Sequence, residues 1–150
     1  MALSADFHGW RLIPRTGELS MNGSVTGADT FYKGACLSVD ADTAVGTVEL
    51  DNANVDQAWG ICENRLVATA AGDLVTGWVR GVFWLTGNTA GLVIVNHGLT
   101  LGETAGSDDP ADLVISGIGT CGAMGTLLHV EVTAVSGYID LSQRSLIINA

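Results

Sequence analysis

The feature that most constrains this chain is a period of two. In LLHVEVTAVS, residues 127–136, Leu128, Val130, Val132 and Ala134 alternate with His129, Glu131 and Thr133, as in a strand with one buried face. TVEL repeats the pattern, with Val48 and Leu50 against Thr47 and Glu49. Further strands are expected at 31–39, 58–62, 74–85, 91–95, 113–116, 138–141 and 145–148, separated by segments rich in Gly, Asn, Asp and Thr. The 20 glycines run along the whole chain, and each costs about 0.8–1 kcal/mol inside a helix relative to alanine. One helix start stands out, DDPAD: Asp109 as cap, Pro110 at the first position and Asp112 at the third. The expected fold is all-β, a small β-barrel or β-sandwich with at most one short helical turn. A chain of 150 residues fits one domain that buries roughly 68–70% of its unfolded surface, which needs no disulfide or metal to fold.

Residues 1–29 read differently from residues 30–150. Phe7, Trp10, Leu12 and Ile13 are interleaved with Arg11 and Arg15 without a clean period. Such anchors want burial, either in an extended arm on a neighbouring surface or in a first strand over the domain's own core. The organisation expected is an N-terminal arm, 1–29, and one β-rich domain, 30–150.

Charge narrows the partners. The net charge is −10, yet residues 1–33 balance Arg11, Arg15 and Lys33 against Asp6, Glu18 and Asp29. The excess acid lies in the remainder, where only Arg65, Arg80 and Arg144 are basic. Such a body repels phosphate backbones, so no nucleic-acid partner is expected, and no stretch has the ~18 consecutive apolar residues of a membrane span. MALSADFHGWRLIPR lacks the basic-then-apolar order of a secretory signal. Cys36, Cys62 and Cys121, odd in number and far apart, read as reduced apolar residues of a protein made in the cytoplasm.

No motif supports catalysis or a cofactor. Glu103, Asp108, Asp109 and Asp112 lack the spacing of a calcium loop, and a solvated loop with a capped turn accounts for them. Asp40 and Asp42 read as turn residues. His8, His97, His129 and the cysteines fall in no metal pattern. GIGTCGAMG, 117–125, lacks the closing Gly-Lys-Ser/Thr of a phosphate loop, and no G-x-S-x-G occurs. No metal, no cofactor and no enzyme activity are expected.

Aromatic residues offer the better lead. If 74–85 is one strand, Trp78, Arg80, Val82 and Trp84 share a face, with Arg80 placed for a cation–π contact worth about 0.5–2 kcal/mol. Trp and Arg are the residue types enriched at protein interfaces, so Trp78, Arg80 and Trp84 form a candidate subunit interface, with core packing the alternative. Trp10, Trp59, Trp78 and Trp84 are also the residues for a sugar platform.

TFYKGACLSVDAD, 30–42, with AWGICENRLVA, 58–68, and GDLVTGWVRGVFWL, 72–85, resembles in order and spacing the head-decoration (cement) proteins of tailed bacteriophages. The resemblance covers roughly residues 30–86 and stops short of GETAGSDDPADLVISGIGTCGAMG, 102–125. It implies a β-tulip-like domain, bound as a homotrimer to the outer surface of the expanded capsid, tying neighbouring major capsid protein subunits together. Lys33 and Gly34 would turn the chain into the body's first strand, and Phe7, Trp10, Arg11, Leu12, Ile13 and Arg15 would serve as capsid or subunit contacts. Weak contacts repeated in a trimer gain avidity. The alternative is a β-rich sugar- or receptor-binding module of a phage tail or fibre.

Overall fold

A computed structural model of the chain describes residues 3–40, 45–50, 57–86, 100–102, 108–110, 114–115, 123–132 and 136–141. Thirteen strands account for most of them: β1 (Trp10–Ile13), β2 (Leu19–Ser24), β3 (Asp29–Phe31), β4 (Cys36–Val39), β5 (Val48–Glu49), β6 (Gln57–Cys62), β7 (Leu66–Ala68), β8 (Leu74–Arg80), β9 (Val82–Thr86), β10 (Thr100–Gly102), β11 (Val114–Ile115), β12 (Ala123–Val132) and β13 (Ser136–Asp140). The fold is all-β. Pro110 takes the 3-10 conformation, and residues 111–113 of the expected turn lie outside the described residues. So do the expected strands 91–95 and 145–148, as well as His97, Asp42, Glu103, Asp112, Cys121, Arg144 and most of 117–125.

Two antiparallel sheets form the body, in the orders β1-β9-β13-β12-β10-β11 and β2-β8-β6-β4-β5, with β3-β7 as a separate pair. Among the described residues neither closes into a barrel. The five-stranded sheet curls until its ends meet at a parallel bridge, Val25 to Val48, and its central strands β4 and β6 place buried residues on both faces. One core lies between the two sheets: Phe83, Leu85, Met124, Leu127 and Ile139 from the first meet Cys36, Ala58 and Ile61 from the second. The other lies on the far face of the curled sheet, where Leu37, Val48, Cys62 and Val75 meet Phe31 and Ala68 of the β3-β7 pair. A strand packed on two sides cannot alternate with polar residues, which is why AWGIC and CLSV read as nearly continuous apolar runs. Truncating a fully buried residue such as Leu37 to alanine removes about 2–5 kcal/mol.

Local devices break the period of two. In β6, Leu37 faces Gly60 and Ser38 faces Ala58, so Trp59 is the extra residue of a β-bulge. Ala58 and Ile61 consequently both reach the core between the sheets, while Trp59 packs into the other. A Cβ on Gly77 would sit 2.4 Å from the Trp59 ring, so this mid-strand glycine makes room for the indole. In β12 the register shifts between Leu127 and His129 and again between Val130 and Val132. The strand forms as expected, but Leu127 takes the core position while Leu128 and Val132 are exposed. In the 74–85 segment, Gly81 has φ +118°. It ends β8 in one sheet and starts β9 in the other, so the expected single strand is two. Within 31–39, Gly34 at φ +83° likewise separates β3 from β4. Asp40 closes the β4–β5 turn as a turn residue should, its amide donating to Thr47 O and its carbonyl accepting from the Gly46 amide, each 2.9 Å.

The first twenty-nine residues, expected as an arm or as a first strand over the domain's own core, supply one edge strand to each sheet. β1 pairs with β9 and β2 with β8. Trp10 and Leu12 point inward against the core between the sheets, and Arg11 and Ile13 alternate outward opposite Trp84 and Val82.

Candidate functional site

The Phe-Tyr-Lys-Gly stretch and the N-terminal segment converge at one place. The Phe7 amide donates to Lys33 O at 2.8 Å and the Lys33 amide to Asp6 Oδ1 at 3.0 Å. Trp10 Nε1 donates to Gly34 O at 3.0 Å, and the Gly34 amide to Cys62 O at 2.8 Å. These bonds satisfy the backbone of the turn and frame a cleft of about 280 Å³, near the lower end of ligand-site volumes. Its floor is apolar, with Trp10 and Trp78 flanking Phe83 at ring separations of 6.2 and 6.0 Å. Its rim carries Lys33, Glu63 and Asn64. Glu63 accepts from Ser20 Oγ, which holds that carboxylate against β2. Cys62, in the wall, donates its thiol to Asn64 O at 3.1 Å, and burial pushes its pKa up to about 12. A thiol so held is no nucleophile at neutral pH.

A second feature occupies the other face of the six-stranded sheet. Strand register places Arg11 opposite Trp84, Trp84 opposite Tyr138, and Tyr138 opposite His129. The four form one row across β1, β9, β13 and β12. The Arg11 guanidinium lies 4.2 Å from the Trp84 ring centroid, and the His129 and Tyr138 rings are 6.4 Å apart. Arg11 and His129 are exposed, while Trp84 and Tyr138 are half-buried. Trp84 Nε1 is buried and meets no acceptor among the described residues. A comparable pair, Arg65 over Tyr32 at 5.0 Å, uses the tyrosine of the Phe-Tyr-Lys-Gly stretch.

Sequence and structure therefore disagree on how the aromatic residues group. Trp78, Arg80 and Trp84 do not share a face, because Gly81 passes the chain from one sheet to the other. Trp78 packs inward against Phe83, Arg80 is exposed opposite Leu19, and the cation over Trp84 is Arg11. Of the N-terminal candidates, Phe7, Trp10 and Leu12 line the cleft. Ile13 is half-buried beside Val82, and Arg15 takes the exposed turn before β2 at φ 63°. Tyr138 and His129 join the row only through strand pairing, which no local spacing announces.

Among the described residues no three His, Cys, Asp or Glu side chains gather to hold a metal ion. One carboxylate is out of the ordinary. Asp108 is buried, its Oδ1 accepting from the Leu3 amide at 2.8 Å and its carbonyl from the Cys36 amide at 2.8 Å. Its Oδ2 has no hydrogen-bond partner among the described residues. Burial raises its pKa above the usual aspartate value. It ties the chain's start and β4 to the 102–125 segment, a structural task. The arrangement as a whole suits binding through aromatic and cationic groups. Comparison with protein-family models, with curated proteins and with solved structures finds no match to the chain.

Proposed function

We propose that this chain is a capsid decoration (cement) protein of a tailed bacteriophage. It binds the outside of the expanded head as a trimer and ties neighbouring major capsid subunits together. One observation carries the reading. The three stretches that resemble the family supply β3 and β4, β6 and β7, and β8 and β9, and all of these but β9, which joins the six-stranded sheet, lie together. β8, β6 and β4 are consecutive in the curled sheet, and β3 pairs with β7. Most of the likeness thus follows β3, β4, β6, β7 and β8, which share one core, and its end runs on into β9 of the other sheet. Its role there is holding, with no catalytic step, and the acidic remainder of the chain keeps decorated particles apart in solution. Electron microscopy of expanded, undecorated heads mixed with the protein tests it. Added density at fixed outer sites is expected, and bare shells would refute the proposal.

A second reading, a sugar- or receptor-binding module of a tail or fibre, draws on the cleft, where two tryptophans and two phenylalanines meet a polar rim. Saturable quenching of tryptophan fluorescence by a simple sugar would favour it over the first.

A further inference from the structure

We infer that the row Arg11–Trp84–Tyr138–His129 is the surface that seats on the protein's partner, and that the partner presents carboxylates to it. The inference deepens the decoration reading and rests on it for the partner's identity, the outer surface of the capsid shell.

Arg11 carries the argument. Its guanidinium carbon lies 4.2 Å over the centroid of the Trp84 ring, which holds the exposed cation at a set place on the sheet, and a guanidinium offers a fork of N–H donors. The acceptor that fits such a fork is a carboxylate. In a chain with sixteen acidic and six basic residues, no acid of the described residues pairs with this arginine. Among the described residues the cation is exposed and held over Trp84, which lowers the ordering cost of binding. Trp84, Tyr138 and Arg11 are also of the three residue types that dominate binding energy at protein interfaces. The row is built on paired strands, so its spacing is set by backbone hydrogen bonds rather than by loops.

The acids on this face define the sign of the test. Asp140 lies two residues from Tyr138 but is buried. Glu131 is the exposed residue at the second register shift of β12, beside Val132, whose partner Ser136 is two residues from Tyr138. An acidic partner is attracted by Arg11 and repelled by Glu131, so neutralising each has the opposite effect.

The experiment measures affinity for expanded, undecorated heads of the wild-type protein, Arg11→Glu and Glu131→Gln, each checked for native circular dichroism, at low and raised salt. Arg11→Glu is expected to weaken binding about tenfold or more and Glu131→Gln to tighten it severalfold, with salt weakening the wild type more than Arg11→Glu. Glu131→Gln changes an exposed residue without touching the core, so it keeps the test decisive even if Arg11→Glu disturbs β1. Wild-type binding left unchanged by both substitutions would overturn the docking row while leaving the decoration reading intact. Tightening by Arg11→Glu would overturn the acidic partner. No binding by the wild type would overturn the decoration reading, and this inference with it.

Discussion

Trp10 Nε1 donates to the carbonyl oxygen of Gly34 across 3.0 Å, and this bond joins the edge strand of one sheet to the turn that opens the other. Gly34 sits at φ +83°, and a Cβ there would lie 2.2 Å from the carbonyl oxygen of Phe7. The Lys33–Gly34 pair is therefore a clamp for the N-terminal segment.

Gly34→Ala tests the clamp against an internal control. Gly17 has a similar φ of +79° but nothing within 4 Å of a would-be Cβ. Gly17→Ala should cost about 1 kcal/mol from backbone strain alone. Gly34→Ala should cost roughly 2 kcal/mol or more, because Phe7 must also move. Urea unfolding of the two variants checks the difference; equal losses would mean the close approach carries no energy.

Deleting residues 1–28 should leave no folded body. The deletion removes β1 and β2 together with the burial of Phe7, Trp10, Leu12 and Val25. At about 1.5–3 kcal/mol per apolar side chain, that consumes most of a stability of about 5–15 kcal/mol. The readout is near-ultraviolet circular dichroism and a cooperative melt. A sharp native-like transition in the truncated chain would show that the segment is a dispensable arm.

What is legible in the sequence follows from where the physics is local. Alternation in LLHVEVTAVS points to β12, and glycine spacing points to many short strands, because both express backbone geometry within a few residues. Which residues of β12 face the core is not legible, since the shift between Leu127 and His129 turns Leu128 outward. The break at Gly81 is hidden too: a glycine inside a strand pattern reads equally as a bulge, a kink or a sheet change, and only the pairing of β8 and β9 in different sheets distinguishes them. The N-terminal strand β1 is obscured because Ile13 is apolar yet points outward, which erases the alternation over a four-residue strand. The row through Tyr138 and His129 depends on register between strands remote in sequence from Trp84, so no spacing along the chain encodes it.

Asp108→Asn should stabilise the protein at neutral pH. Burial raises the aspartate's pKa in the folded state, so the ionised form is penalised at pH values above that raised value. The penalty disappears as pH falls below the unfolded value near 3.8. An asparagine side chain keeps an acceptor for the Leu3 amide without the charge. Thermal melts should place the variant above the wild type at pH 7, with the gap closing toward acid; a lower Tm for the variant at pH 7 would refute the assignment.

Cys62 should resist alkylation in the native state. Its thiol is buried and its pKa is pushed up to about 12, so at pH 8 little thiolate exists, and Cys36 is buried as well. Mass spectrometry after iodoacetamide treatment should find both unmodified without urea and both modified with it. Rapid native modification of Cys62 would mean that the cleft wall opens.

The most direct test of the central proposal is co-sedimentation of the purified protein with expanded, undecorated heads of its parent phage, counting copies bound per shell. Saturation at a multiple of three per local symmetry axis, with shells that then withstand heat better, is the predicted result. Protein that stays in the supernatant while the shells pellet bare would contradict it.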